Sequence, residues 1–248
     1  MGLIILPMSK PFAGIEEKLK RTSENIVNLN GEIERFFQEC KYPTLPKDDD
    51  EALLEAIQYH KGLIIPPRFS VLVGEIIHHL RSCLDHIAWQ FSVESYRRDY
   101  PKRIGFPVFE EEPLDKDKLT SYERQVKGIT STTVLELIRA LQPYNAPDPL
   151  DAPIFIIHQM DVVDKHRELI LCSGTGRIDI PSNFALYARQ ERSSVPSHIE
   201  DDLYQNLKVV PQISFLNFGR RKIVHVVTAL NFLQEVVSEI VARFDSLR

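Results

Sequence analysis

Three long stretches of this chain repeat their apolar residues every three to four positions, and that spacing limits what it can fold into. From Ile15 to Cys40 the residues Ile15, Leu19, Ile26, Leu29, Ile33, Phe36 and Phe37 fall near one stripe, with charges between them. From Val71 to Tyr96 the arc is Leu72, Ile76, Leu80, Cys83, Leu84, Ile87 and Phe91. From Arg220 to Phe244 it is Ile223, Val226, Val227, Leu230, Leu233, Val237, Ile240 and Phe244. A period of about 3.6 residues makes each stretch a helix with one face to bury. The simplest partners for those faces are one another, in an up-and-down bundle.

Shorter elements fill the intervals. Glu51–His60 reads as helical, with a Tyr59–Ile65 end that also suits a strand, and Pro66-Pro67 is a break. Thr132–Leu141 and Ile154–Arg167 read as helices, the second with Asp151 as N-cap and Pro153 in its first turn. Tyr42–Asp50 reads as a loop, and Asn145–Pro153 as a turn-rich joint. Arg97–Thr120 reads as a long irregular connection, which is unusual in a compact domain unless it covers something. The apolar run Leu3–Leu6 suits a strand or an extended arm. Glu168–Cys172, Arg177–Ile180, Phe184–Gln190 and Val209–Leu216 read as short strands, separated by Gly174-Thr175-Gly176, by Pro181-Ser182-Asn183 and by a polar loop. The expected fold is mainly α with a small antiparallel β-sheet (α+β). It forms a single domain over 1–248, with a β-insert around 168–216 before the C-terminal helix.

A hydrophobic fraction of 43% and a charged fraction of 26% are ordinary globular values. The net charge of -5 argues against coating or packaging nucleic acid, although it leaves room for a small basic pocket. Cys40, Cys83 and Cys172 are widely spaced, and neither a disulfide framework nor a zinc knuckle can be read from them. No apolar run approaches the roughly 20 residues of a membrane span. The first residues lack the basic region of a signal peptide. The expectation is a cytoplasmic chain with no membrane partner.

Chemistry concentrates on two helices. On the Val71–Tyr96 helix, His79, His86 and Gln90 line one margin of the apolar arc, and Arg81 and Asp85 lie beyond the other. On the Ile154–Arg167 helix, His158, Asp161 and Lys165 are spaced by three and four and share a face, flanked by Asp164 and Glu168. Asp164-Lys165-His166-Arg167 closes that helix. If the two faces meet, they form one polar pocket, and buried charge needs pairing. Each part also has a plainer reading. Arg81 and Asp85 form an i,i+4 ion pair, and His79 and His86 are core histidines satisfied by a carbonyl or by Asp161. Lys165, His166 and Arg167 suit the negative end of a helix dipole.

The segments His78–His86 (HHLRSCLDH) and Asp164–Arg167 (DKHR) resemble an uncharacterised bacterial family with an H-x-L-R-S-x-L-D-H helix and a later D-K-H-R. Arg81, four residues, then His86 also resembles the R-x4-6-H signature of HEPN domains, with Ser82 where Asn, Asp or His usually follows the arginine. The HEPN resemblance implies an all-helical, homodimeric, metal-independent ribonuclease or RNA-binding effector, of a kind found among toxins and defence proteins. In it Arg81 anchors phosphate, His86 is the general acid or base, and Asp85 orients. Residues five apart on a helix diverge by about 140°. One phosphate therefore meets both only if the arginine reaches around or a partner chain completes the site. Two other classes stand beside this one. A metal-dependent hydrolase or metal-binding bundle would draw its ligands from His79, His86, His158, Asp161 and His166. A non-enzymatic ligand-binding or interaction module would use the network only to fix helix register.

Overall fold

A computed structural model describes residues 12–40, 64–166, 172–179, 208–215, 218–220 and 224–248; for His166 and for strand residues 172–179 and 208–212 it describes the backbone alone. The described residues contain seven α-helices: α1 (Ala13–Glu39), α2 (Pro67–Phe91), α3 (Glu94–Asp99), α4 (Lys116–Val126), α5 (Thr132–Ala140), α6 (Pro153–His166) and α7 (Val226–Asp245). The fold is mainly helical with a small antiparallel sheet, as the periods predict. The three apolar stripes become α1, α2 and α7, which pack on one another. Ile26, Leu29, Ile76, Leu80, Leu230 and Leu233 are sealed between them. α6 lies against α2 on the side that carries Arg81.

The ends of α2 show local chemistry overriding the period. Pro67 opens the helix because a first-turn proline loses no hydrogen bond, so the Pro66-Pro67 break is a helix start. The apolar pattern continues to Tyr96, yet the helix stops at Phe91. Ser92 turns extended and bridges Ile129, while the Val93 N–H donates to the Gly128 carbonyl at 2.8 Å. Gly128 is required there, since a Cβ would sit 2.8 Å from Ser92 Oγ and 2.6 Å from the Tyr96 ring.

The long connection read as irregular from Arg97 to Thr120 is partly helical. α3 and a short 3-10 turn (Pro101–Arg103) occupy its start, and α4 begins at Lys116, capped by the Asp115 carboxylate accepting from the Lys118 N–H at 2.7 Å. Ile104–Leu114 remains irregular and forms a strap. Phe106 on this strap is fully buried and meets Phe244 of α7 edge-on at 6.1 Å. Burying such a ring contributes about 2–3 kcal/mol. Asp151 does not cap α6: it closes a 3-10 turn, and its carboxylate accepts from the Arg220 N–H at 2.7 Å.

The sheet has the order β1-β2-β3, with β1 Cys172–Asp179, β2 Lys208–Phe215 and β3 Val224–His225. Gly174-Thr175-Gly176, read as a turn, lies inside β1 opposite Ile213, Gln212 and Pro211. Pro211 sits in this ladder opposite Gly176, and β3 reaches only Ser214 and Phe215. The final helix starts at Val226 rather than Arg220, because Val224 and His225 are taken into the sheet and His225 caps the helix through Nδ1. Leu3–Leu6, Tyr42–Asp50, Glu51–His60, Phe184–Gln190, Glu168 and Arg167 lie outside the described residues.

Candidate functional site

The polar faces of α2 and α6 meet. Asp161 on α6 is 5% exposed and accepts two hydrogen bonds, from Lys165 Nζ at 2.8 Å and from His78 Nδ1 at 3.1 Å. An ionised carboxylate only accepts, so this geometry requires the His78 proton on Nδ1. One helical turn along α2, Arg81 is 8% exposed. Its Nη2 donates to the Phe106 carbonyl at 2.7 Å and lies 2.9 Å from Asp85 Oδ1. The same Asp85 oxygen accepts from the Phe106 N–H at 2.9 Å. Arg81 and Asp85 therefore hold both backbone groups of one strap residue. Gln142 extends the fastening, donating to the Pro107 carbonyl at 2.9 Å and accepting from the Phe109 N–H at 3.2 Å.

Among the described residues, two buried nitrogens in this seam have no hydrogen-bond partner, Arg81 Nη1 and His158 Nδ1. Burial is the main cause that pushes the His158 pKa below the ordinary histidine value, and the Arg81 charge adds to it against the opposing pull of Asp161 and Asp85. His158 is thus a neutral imidazole at neutral pH, next to a fixed cation. It also lines a cavity of about 330 Å³ with Phe109, Phe155, Glu111 and Lys118. Asp164 lies against α2 at Gly74, where a Cβ would collide with its carboxylate. Burial and the Asp161 charge raise its pKa, against His78 and Lys165.

His79 and His86 do not join this cluster. They lie on the α1 side of α2, where the Lys18 ammonium acts on both. Burial first, and Lys18 second, push both imidazoles below the ordinary value. His86 is exposed, while His79 Nδ1 is buried without a partner. Asp161 satisfies neither, because His78 and Lys165 take its oxygens. The arginine also does not reach around to His86, since its fork is fixed on Phe106. His166 closes α6, and its side chain is outside the described residues.

The metal-ligand pool divides along the same line. Among the described residues no three His, Cys, Asp or Glu side chains gather as a cation site. His78 is the residue that sequence reasoning passed over. The signal was available, because positions 78, 81 and 85 are spaced by three and four and share one helix face. No helix among the described residues is long and apolar enough to cross a membrane. No family model, curated protein or solved structure matches this chain.

Proposed function

We propose that this chain is a metal-independent RNA endonuclease in which Arg81 and His158, rather than Arg81 and His86, form the catalytic pair. The observation that carries the reading is the pair of unpartnered buried nitrogens, Arg81 Nη1 and His158 Nδ1, in one seam beside a cavity. A buried donor without a partner costs about 1–3 kcal/mol, so the seam is suited to a ligand oxygen. Arg81 would hold a phosphate oxygen and stabilise the charge that grows as the 2′-hydroxyl attacks. Neutral His158 would accept the hydroxyl proton, and the imidazolium so formed would return a proton to the departing 5′-oxygen. Phe109 and Phe155 would flank the nucleoside in a cavity near the lower bound of ligand pockets, roughly 300 Å³.

The test is cleavage of labelled mixed-sequence RNA, with and without EDTA, by wild type, His158→Ala and His86→Ala. Cleavage that survives EDTA, falls at least a hundredfold in His158→Ala and persists in His86→Ala supports the one-chain site. Cleavage lost in His86→Ala, together with a dimer by light scattering, restores the two-protomer site. Loss with EDTA moves the reading to a metal-dependent hydrolase.

A second reading has its own support. Arg81 and Asp85 grip both backbone groups of Phe106, and that serves the strap whether or not anything is cleaved. A non-enzymatic binding module would show RNA binding without turnover under every condition.

A further inference from the structure

The RNA reading leaves open how so acidic a protein holds a polyanion. The net charge of -5 repels it at long range. One cavity has the opposite character. It measures about 370 Å³ and lies between the 3-10 turn Pro101–Arg103 and α4. Lys102, Arg103 and Arg124 line it, with the polar side chains of Ser121 and Gln125, and no carboxylate does. Several exposed cations elsewhere stand against acids: Arg68 on Glu32, Arg98 on Asp99, Lys118 on Glu111 and Arg220 on Asp148. Among the described residues, no ion pair engages Lys102, Arg103 or Arg124. Arg103 is instead stacked on the Tyr100 ring, its guanidinium carbon 4.7 Å from the ring centre, which leaves its donors at the edge free to turn outward.

The neighbourhood ties this cavity to the α2–α6 seam. Gly105 lines it, and a Cβ at Gly105 would lie 3.3 Å from Asp85 Oδ1 and 3.7 Å from Gln125 Oε1. Asp85 is thus close behind Gly105, and its charge is already balanced by Arg81. Three residues further along the strap, Val108 lines the His158 cavity. Three residues of chain span at most about 11 Å. A phosphate in the first cavity and a nucleoside in the second fit one short strand laid across the strap.

We infer that Lys102, Arg103 and Arg124 form a phosphate-binding subsite that grips the backbone of a single-stranded RNA next to the Arg81–His158 seam. The inference rests on the RNA reading above and adds where the strand is held. Its contacts read charge rather than bases, because three cations around one cavity carry no donor–acceptor pattern. Ser121 and Gln125 add neutral donors to phosphate oxygens.

The experiment is fluorescence anisotropy with a labelled oligouridylate of about a dozen nucleotides, a length within the site sizes of single-strand binders. The proteins are wild type, the triple variant Lys102→Gln/Arg103→Gln/Arg124→Gln, and a control of equal charge change on α1, Lys20→Gln/Arg21→Gln/Arg35→Gln. The cavity variant is expected to bind at least tenfold more weakly at low salt. Its log–log salt slope should be shallower by about 2, since each single-strand phosphate contact contributes about 0.7. The α1 control should bind like wild type. Matching thermal melts exclude misfolding, and the single Arg124→Gln variant should fall between wild type and triple. Equal weakening by both triples, an unchanged cavity variant, or no binding by wild type overturns the subsite. His158→Ala keeps the two claims apart. Binding that depends on the three cations, without cleavage by any protein, sinks the endonuclease and keeps the subsite. Cleavage that depends on His158 but not on the three cations does the reverse.

Discussion

The two polar faces of α2 use the same residue types and end in opposite physical states. Toward α6 and the strap, His78, Arg81 and Asp85 bond Asp161 and the Phe106 backbone, and among the described residues of this face only Arg81 Nη1 and His158 Nδ1 stay buried without a partner. Toward α1, burial first and the Lys18 charge second lower both His79 and His86, against the weaker pull of Glu75 on His79 and of Asp85 on His86. The first face can fix geometry and balance a buried charge. On the second, burial and the lysine together favour the neutral rings. Polarity on a helix margin therefore says little until the neighbour is known. A histidine bonded to a buried carboxylate ties two helices together, whereas a buried histidine beside an ammonium favours its neutral ring.

The largest effect should come from breaking the first face. Arg81→Met keeps the volume and removes the fork, which leaves the Phe106 carbonyl unpaired and Asp85 without its cation. Loss of the charged hydrogen bond that satisfies a buried carbonyl costs up to about 3 kcal/mol, and the partly exposed Asp85 adds little to it. Urea unfolding should show that loss, while His86→Ala, at an exposed position, stays within about 0.5 kcal/mol of wild type. Equal effects would erase the contrast between the faces. Asp161→Asn is next, at about 2 kcal/mol, because a buried acceptor of two charged donors becomes a neutral amide. If Asp161→Asn and His86→Ala unfolded at the same denaturant concentration, the seam would not be the stabilising side.

Much of this was legible in the sequence, for a physical reason. A helical stripe of seven or eight apolar residues can be satisfied in few ways, so α1, α2 and α7 follow from spacing alone. The shared faces of Arg81 with Asp85 and of His158 with Asp161 follow from the same geometry. What escaped depends on residues far apart in the chain. α2 ends at Phe91 because Gly128 and Ile129 approach Ser92 and Val93. β1 passes through Gly174-Thr175-Gly176 because β2 supplies its ladder, and no local rule favours a strand there. The start of α4 was visible in the Asp115 cap, but the prolines and charges around it obscured the signal. A motif groups His86 with Arg81, whereas the fold turns Arg81 Nη2 to a strap residue 25 positions away.

Acid should sharpen the contrast less strongly. His79, His86 and His158 all have folded pKa values below that of the free imidazole. The unfolded chain then binds protons first, so stability is full above about pH 6.5 and falls as the pH drops through the folded values. Denaturant midpoints measured from pH 7.5 to 5 should decline, and His158→Gln should flatten the decline. A flat wild-type profile would mean that these rings are free to charge in the fold.

The smallest effect has the opposite sign. Asp164 is pushed above the ordinary carboxylate pKa, mainly by burial and then by Asp161. A raised acid stabilises the fold only while protonated in it. Its contribution is full below the unfolded value of about 4 and is lost as the pH rises through the folded value. At neutral pH the charged Asp164 therefore opposes folding, and it does so beside Asp161, which accepts from His78 and Lys165. Asp164→Asn keeps the shape against Gly74 and removes that repulsion. The melting temperature at pH 7 should rise by about 1–2 °C, a few tenths of a kcal/mol for a chain of this size. The gain should vanish near pH 4, where wild-type Asp164 is protonated in the fold. A loss of stability at pH 7 would mean that the Asp164 charge serves Lys165 or His78 more than it opposes Asp161. The seam would then be a balanced ion network rather than one buried acid with a strained neighbour.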